Sequence, residues 1–273
     1  MARAPGSASR ERPRHRRSLV IDIHSHLLPG VDDGSPSAEV SLPVLQRFGE
    51  QGVDVLICTP HLNASDAGRA PVEEYSRILE DLVRQAPLRP VLRLGFEIML
   101  DVPGADLRSP DLHLGGSTAA LVEFPRMSVP RESTQELARL RASGVVPVVA
   151  HPERYFGCTH EKVAEWRGVG AVIQMDAAMI LGGESSSKLS RALLEEGLVD
   201  VIASDNHGDR RSVAAAERWL REVGGEEQAR LLTHVNAERL LSGQVVLPVQ
   251  PLPAVARGMR ARLRELLFGA PAR

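Results

Sequence analysis

Cysteine is scarce in this sequence of 273 residues, which contains only Cys58 and Cys158. Neither cysteine has a cysteine or histidine partner at the spacing of a zinc finger, which argues against a disulfide framework and a cysteine-based zinc module. Without a disulfide framework, the chain is expected to work in a reducing compartment, and we predict a cytoplasmic location.

Long apolar runs and aromatic residues are also scarce. No run approaches the roughly 20 residues of a membrane span, so we predict no integral membrane segment. Aromatic residues make up 3% of the chain, and this low content argues against nucleic-acid binding, because single-stranded nucleic acids stack on aromatic side chains. The net charge of −2 is uneven: the first 18 residues carry +5 and the remainder −7. An acidic body is compatible with clustered carboxylates that cations neutralise.

The two ends of the chain differ in character from the middle. The pair Arg16-Arg17 could begin an export signal, but no apolar segment or cleavage site follows, so residues 1–18 are predicted to be a disordered basic arm. Residues 246–273 are predicted to form a basic helix or tail, with a partner-binding or membrane-surface helix as the alternative. The intervening residues 19–245 are predicted to be a single domain.

Seven β-rich runs alternate with helix-like segments, several of which end in glycine. These runs cover residues 19–24, 53–58, 91–98, 119–124, 145–151, 171–176 and 198–205. Most are almost continuously apolar, as strands buried on both faces are. The alternation predicts a parallel α/β sheet, either open or closed into a barrel. Pro43 predicts that the first helix begins late, near Ser41, or kinks.

Side chains that bind metals follow the carboxyl ends of six of these runs. They are His24, His26, Asp33, His61, Glu97, Glu123, His151, Asp205 and His207. Because the carboxyl ends of parallel strands open on one face, these side chains should lie together. Imidazole with carboxylate suits Zn, Mn or Fe better than Ca. With about four protein ligands per ion, some of them shared, the set can hold two or three ions.

Several motifs occur in the order and at the intervals of a known family. They are "DIHSHLLPGVDDG", "CTPH", "GFEI", "LVEFP", "VAHPER", "IASDNH" and "HVNAERLL". Over about residues 19–245 the chain resembles the PHP (polymerase and histidinol phosphatase) superfamily, and within it the CpsB/CapC protein-tyrosine phosphatases of bacterial capsule and exopolysaccharide loci. The resemblance implies a distorted (β/α)7 barrel of the TIM-like PHP type. It also implies a trinuclear centre, with manganese favoured and Fe, Zn or Mg as alternatives.

The resemblance also implies how the ligands are shared among the ions. One metal would be held by His24, His26, Glu97 and Asp205. A second would be held by Glu97, Glu123 and His151, and a third by Asp33, His61 and His207. Arg154 and one of Arg210 or Arg211 match arginines that bind phosphate in the family. Phe96 and Asp176 depart from the family pattern and would alter the shape of the substrate site.

The activity implied by the resemblance is hydrolysis of phosphotyrosine on a protein, the expected substrate being the tyrosine-rich tail of an autophosphorylating bacterial kinase. Metal ions would lower the pKa of a water so that hydroxide attacks phosphorus in line. Arg154 would stabilise the charge on the phosphoryl oxygens. No nucleic-acid partner is expected, and homo-oligomerisation is left open.

Four alternatives to this interpretation can be compared with it. A small-molecule phosphatase of the histidinol-phosphate type would use nearly the same ligands, although "VDDG" and "LVEFP" favour the tyrosine-phosphatase branch. A phosphodiesterase or nuclease is supported only by the basic arm. A cysteine-nucleophile phosphatase is excluded, since the arginine it needs six positions after the cysteine is replaced by Ala64 and Ala164. A metal-binding scaffold without catalytic activity would be indicated by the loss of one of the metal ligands, and all nine ligand positions are filled.

Overall fold

The computed structural model describes residues 19–181 and 188–252. The predicted basic arm, 1–18, and residues 253–273 of the predicted tail lie outside the described residues. The strands are β1 (Val20–Asp22), β2 (Val53–Cys58), β3 (His61–Asn63), β4 (Val91–Leu94), β5 (Glu97–Met99), β6 (Ala119–Glu123), β7 (Val146–Ala150), β8 (Val172–Asp176) and β9 (Val201–Ala203).

Helices follow most of the strands, as the alternating pattern predicts. They are α1 (Ala38–Gln51), α2 (Val72–Gln85), α3 (Ser133–Ala142), α4 (His160–Gly168), α5 (Ala177–Leu181), α6 (Lys188–Glu195), α7 (Val213–Glu222), α8 (Glu226–Arg230) and α9 (Asn236–Leu241). Helix α1 begins at Ala38 with Pro43 inside it, so the predicted late start near Ser41 is wrong. The first turn is held by the hydrogen bond that Ser41 donates to Leu27 O at 2.8 Å. Beyond Pro43 the helix is held by burial of Val44 and Phe48.

All the strand pairs are parallel, and they form two sheets, β1-β2-β4 and β3-β5-β6-β7-β8-β9. Strand β3 continues the line of β2, and β5 continues that of β4. Hydrogen bonds bridge these breaks, because Gly95 N donates to Cys58 O at 2.9 Å and Glu97 N donates to Pro60 O at 3.1 Å. The nine segments therefore follow seven strand lines.

The first and last strand lines also meet, at their carboxyl ends. Ser25 and Asn206 form a parallel β-bridge, and Asp205 N donates to His24 O at 2.9 Å. Beneath this bridge the buried Asp22 carboxylate accepts the N–H of Ser204 at 2.9 Å. These contacts join the end of β1 to the end of β9 and bring the ligands that follow both strands side by side.

Every predicted β-rich run contains a strand, so the predicted single-domain α/β fold with parallel strands is confirmed. The run 91–98 is divided into two strands at Gly95, where the backbone passes so close to Leu114 that an added Cβ would lie 3.1 Å from its Cα. Strand β3 was not predicted, because its three residues carry no apolar run. Within the described ranges no helix is long and apolar enough to cross a membrane.

Apolar side chains of the strands divide between two sides of the sheets, as the alternation along a strand requires. On one side they pack against the helices, and on the other they pack against each other, as Leu121, Val148 and Val172 do. Glu123 follows Leu121 by two residues and Gln174 follows Val172 by two, so both polar side chains continue the inner side. The inner side is thus apolar below and polar at the carboxyl ends of the strands.

The first part of the predicted tail lies against this domain. Residues 246–252 contain no helix. Leu247 N donates to Asn236 Oδ1 at 2.8 Å, and Leu252 N donates to Leu194 O at 2.9 Å. The packed part of the chain therefore includes at least residues 19–181 and 188–252.

Candidate metal centre

All nine predicted metal ligands lie at the carboxyl ends of the strands, in one connected cluster. Ligand atoms of seven of these residues form three overlapping groups, each with all its atoms within 4.8 Å of one another: His26, Asp33, His61 and His207; His24, His26 and Glu97; and His61, Glu97 and Glu123. His151 contacts Glu97, and Asp205 contacts His24 and His26. The overlap matters because a shared residue can bridge two ions. Residues separated by up to 183 positions in the chain are brought together here by the parallel topology.

The innermost part of the cluster surrounds a point between two imidazoles and two carboxylates. His24 Nε2 lies 3.3 Å from both Glu97 Oε2 and Asp205 Oδ1. His26 Nε2 lies 3.3 Å and 3.2 Å from the same two oxygens and 3.2 Å from His24 Nε2. Ligand atoms about 2.0–2.2 Å from a tetrahedral ion are about 3.3–3.6 Å apart. The spacing of the two imidazole nitrogens from each other and from Glu97 Oε2 therefore fits a common cation, and Asp205 Oδ1 lies equally near both nitrogens.

Glu97 also connects this point to a second group. His151 Nε2 lies 2.7 Å from Glu97 Oε1 and 4.0 Å from Glu123 Oε2. On the other side, His61 Nδ1 lies 3.1 Å from Glu97 Oε2 and 3.6 Å from Glu123 Oε1. Both oxygens of Glu97 thus face ligands of different groups, as a bridging carboxylate requires.

The outermost group is open to solvent. Asp33 Oδ1 lies 3.3 Å from His61 Nε2 and 3.6 Å from His207 Nε2. The Asp33 side chain is 72% exposed and that of His61 is 36% exposed. His61 presents one ring nitrogen to this group and the other to Glu97. The resemblance implies the first of these contacts but not the second.

Three of the histidines are oriented by an oxygen on the far side of the ring. His24 Nδ1 lies 3.1 Å from Gln174 Oε1, and His207 Nδ1 lies 3.0 Å from Asp205 O. His26 Nδ1 lies 2.7 Å from Asp32 Oδ2. A proton on each Nδ1 would be donated to these oxygens, leaving each Nε2 free to bind a cation. Histidines that bind metals are commonly held in this way.

Asp32 also fixes the turn that carries the first ligands. Its Oδ1 accepts the N–H of Gly34 at 2.9 Å, while its Oδ2 accepts that of His61 at 3.3 Å in addition to the bond from His26. The turn closes with Ser35 N donating to His26 O at 2.8 Å. One carboxylate therefore connects the "VDDG" turn to two candidate ligands.

Burial and mutual contact shift the ionisation of the cluster. Burial lowers the pKa of His24, but the charges of Glu97 and Asp205 outweigh burial and raise this pKa to about 9. Burial raises the pKa of Glu123, and the adjacent Glu97 adds to this effect, giving about 7. Burial opposes ionisation of Glu97 as well, but the imidazoles of His24 and His151 lower its pKa well below the usual range. In the metal-free protein, protons on the imidazoles therefore stabilise the carboxylates.

Two of the candidate ligands have an unusual backbone conformation. His151 and Asp205 have φ angles of 30° and 47°, and they are the non-glycine residues with positive φ in the described part of the chain. Such residues cost about 1–3 kcal/mol each and cluster at functional sites. His151 directly follows β7 and Asp205 lies two residues beyond β9, where each turn redirects the side chain toward the shared cluster.

Two of the three predicted phosphate-binding arginines lie at the edge of the cluster. Arg154 Nη1 lies 2.5 Å from Asp205 Oδ2, and Arg211 Nη1 lies 3.1 Å from the same oxygen. The side chain of Arg210 is exposed, whereas that of Arg211 is half-buried. The geometry therefore favours Arg211 over Arg210.

The donor set and its bonding suit a divalent cation. Among the described residues, the buried atoms Asp205 Oδ1 and His151 Nδ1 have no hydrogen-bond partner. A buried polar atom without a partner is costly. For Asp205 Oδ1, which faces His24 and His26 at 3.2–3.3 Å, a cation would remove this cost. Mixed imidazole and carboxylate ligands are typical of transition-metal sites.

Three further residues of the centre were missed by sequence reasoning. Gln174 orients His24, Asp22 joins the ends of two strands, and the buried Glu153 accepts the N–H of Asp176 at 2.7 Å. Gln174 could have been found, since it is a polar residue in the otherwise apolar run "AVIQM". Asp22 and Glu153 lie in motifs whose other residues were assigned, and nothing in the sequence marks them.

Comparisons with known proteins agree with this geometry. Residues 20–242 match the family described as "Capsular polysaccharide synthesis, CpsB/CapC". The chain is 30% identical to tyrosine-protein phosphatase YwqE of Bacillus subtilis, over 87% of this chain and 98% of that protein. It is 28% identical to tyrosine-protein phosphatase CpsB of Streptococcus agalactiae, over 83% of this chain and 100% of that protein.

A solved structure gives the same result. It comes from crystal structures of YwqE from Bacillus subtilis and CpsB from Streptococcus pneumoniae, described as unique metal-dependent tyrosine phosphatases. It matches with a TM-score of 0.73 and 28% identity, over 86% of this chain and 99% of that chain. The chain belongs to the CpsB/CapC family.

Proposed function

We propose that this protein is a metal-dependent protein-tyrosine phosphatase, a phosphoric monoester hydrolase. The observation that carries the proposal is the connected cluster of nine candidate metal ligands with two arginines at its edge. Neighbouring ions joined by a bridging carboxylate are typical of hydrolases that act on phosphate esters. The matches to the tyrosine-protein phosphatases named above extend over nearly the whole length of those proteins. The proposed activity therefore belongs to a domain that this chain also contains.

We further propose that the two sheets form one closed, distorted (β/α)7 barrel of the TIM-like PHP type. The hydrogen bonds across the breaks in the second and third strand lines, and the bridge between Ser25 and Asn206, support seven strands in a ring. A barrel of this kind would bring all nine candidate ligands around one mouth.

The roles of the side chains follow from their positions. Bound divalent ions would supply Lewis acidity and would lower the pKa of a water so that it can attack phosphorus near neutral pH. Arg154 and Arg211 would bind the phosphoryl oxygens, since both guanidinium groups lie at the edge of the ligand cluster. A tyrosyl leaving group has a pKa near 10 and leaves without a strong acid. Glu123, with its pKa raised to about 7, can bind an ion as a carboxylate or hold a proton near neutral pH.

We propose two or three ions per chain, with manganese favoured and Fe, Zn or Mg as alternatives, because imidazole and carboxylate ligands accept each of them. We propose the phosphorylated tail of a capsule-related tyrosine kinase as the substrate, in keeping with the capsular polysaccharide family. The reducing, cytoplasmic location stays a prediction from the two cysteines.

The test compares three substrates on protein loaded with Mn²⁺. A phosphotyrosine peptide should give a higher kcat/KM than histidinol phosphate or a phosphate bis-ester. EDTA and His151→Ala should each reduce hydrolysis by at least a hundredfold, because each removes part of the cluster. His160→Ala is the matched control: this histidine is exposed, pairs with Glu161 and Glu196, and lies outside the cluster.

Two results would contradict the proposal. A higher kcat/KM on histidinol phosphate would assign the protein to the small-molecule phosphatases. Hydrolysis that survives both EDTA and His151→Ala would exclude the metal mechanism. Equal losses in His151→Ala and His160→Ala would indicate that histidine replacement damages the fold and not the centre.

A further inference from the structure

Asp176 is a buried carboxylate at the edge of the centre that belongs to none of the ligand groups. It is the last residue of β8 and has no exposed surface. The resemblance to the PHP phosphatases predicts no acidic residue here, so the roles proposed above leave Asp176 unexplained. A buried carboxylate is costly unless it is paired, which makes its partners informative.

Hydrogen bonds hold both the side chain and the backbone of Asp176. Its Oδ1 accepts the N–H of Ala178 at 2.7 Å, at the start of helix α5. Its own backbone N–H donates to Glu153 Oε1 at 2.7 Å. With Oδ1 fixed in this way, Oδ2 is directed at the guanidinium group of Arg154, and the two form an ion pair through Arg154 Nη2.

Arg154 therefore lies between two carboxylates. Nη2 pairs with Asp176, and Nη1 lies 2.5 Å from Asp205 Oδ2. A guanidinium group has five N–H donors, so these contacts leave donors free, and 17% of the side chain remains exposed at the mouth of the site. Asp205 Oδ2 also faces Arg211 Nη1 at 3.1 Å. Two arginines thus share one oxygen of Asp205, and Asp176 is the second anchor for only one of them.

We propose that Asp176 is a positioning residue that holds Arg154 in the orientation in which its free N–H donors face the phosphoryl group. The proposal rests on the proposed phosphatase function. Without Asp176, Arg154 would have Asp205 as its sole carboxylate partner among the described residues and could rotate about that contact. This loss of orientation would weaken phosphate binding more than it would slow the chemical step. Arg211 and the candidate metal ligands, which also act on the phosphoryl group, would be unchanged.

The test is a double-mutant cycle read by phosphate affinity and by kinetics. Asp176→Ala, Arg154→Ala and the double variant are prepared with Mn²⁺, and inorganic phosphate binding is measured by calorimetry. Asp176→Ala should weaken phosphate binding about tenfold and raise KM for a phosphotyrosine peptide by a similar factor, while kcat changes less than threefold. In the Arg154→Ala background, Asp176→Ala should change phosphate affinity less than twofold, since residues that act through one another are not additive.

Two further variants separate positioning from structural damage. Asp176→Asn keeps an oxygen that can accept from Arg154 and should recover part of the lost phosphate affinity. Asp200→Ala removes a comparable buried carboxylate, which pairs with Arg167 Nη2 at 2.8 Å and accepts the N–H of Ile173 at 2.9 Å. It lies at the opposite end of the strands, so it should lower the melting temperature without changing phosphate affinity or KM.

The possible results divide clearly. Phosphate affinity that is unchanged or tighter in Asp176→Ala would overturn the proposal, as would an equal loss in the Arg154→Ala background. A wild-type protein that binds no phosphate would overturn it as well. If the wild type binds phosphate but does not hydrolyse phosphotyrosine, the proposed function fails while the cycle still decides the role of Asp176.

Discussion

Adding one methyl group at Gly34 should displace His26 from the candidate metal centre. Gly34 ends the "VDDG" turn, and an added Cβ would overlap the carbonyl oxygen and the Cβ of His26, well inside the 3.0 Å limit of real Cβ contacts. The backbone φ of Gly34 is not among the positive values. The conflict in Gly34→Ala is therefore one of space and not of backbone conformation.

The size of the effect follows from that overlap. His26 or the turn must move by roughly 0.8 Å to reach 3.0 Å, and a misplacement of about 1 Å can cost about 10²-fold in rate. Movement of the His26 carbonyl would also disturb the hydrogen bond from Ser35 N at 2.8 Å. Since His26 Nε2 is 3.2 Å from both His24 Nε2 and Asp205 Oδ1, the same movement would open the innermost group. We expect weaker metal binding and a rate loss of about tenfold to a hundredfold.

The assay measures Mn²⁺ affinity by calorimetry and phosphotyrosine hydrolysis at saturating Mn²⁺. Gly68→Ala is the matched control, because Gly68 lies in the turn that follows His61 and an added Cβ there meets nothing within 4 Å. It should bind metal and turn over substrate like the wild type. Wild-type metal affinity and kcat in Gly34→Ala would refute the reasoning, since the overlap leaves no position for an undisturbed His26.

Two further predictions concern the same imidazoles. Asp32→Asn should weaken metal binding about tenfold to a hundredfold, because a neutral amide orients His26 less firmly; calorimetry tests this, and unchanged affinity would contradict it. In the metal-free protein the folded-state pKa of His24, about 9, lies above its ordinary value of 6.5. The stability that its protonation contributes is complete below pH 6.5 and is lost as the pH rises through 9. The melting temperature of metal-free protein should therefore fall from pH 6.5 to 9 while Mn²⁺ affinity rises, and a flat profile of both would contradict this.

The strands could be predicted because strands buried on both faces have a recognisable sequence pattern. A parallel strand covered on both sides is apolar at nearly every position, so each of the seven runs was visible. The breaks within strand lines were not visible. Division of the third run at Gly95 depends on the approach of Leu114, a contact between distant segments. The start of helix α1 was misjudged for a related reason, since the packing of Phe48 and its neighbours outweighs the local effect of Pro43.

The candidate ligands could be selected for a different reason, which is topology. The ends of parallel strands share a face, so the residue type at each end was sufficient to group them. Their assignment to individual ions stays a prediction. The orientation of His61 toward both Glu97 and Asp33, and the positive φ angles of His151 and Asp205, depend on tertiary contacts that no local pattern reports. The choice of Arg211 over Arg210 likewise needed the position of Asp205.

The charge of the centre bears on how many ions it needs. Seven carboxylates lie in contact with the ligand cluster or its arginines: Asp32, Asp33, Glu97, Glu123, Asp176, Asp205 and Asp209. The fixed cations among them are Arg154 and Arg211, which leaves a formal charge of −5 when the imidazoles are neutral. One or two divalent ions would leave the site negative, and a third would make it positive. A phosphate monoester carries about −1.5 to −2 near neutral pH. Attraction of that substrate therefore supports a centre of three ions over one of two.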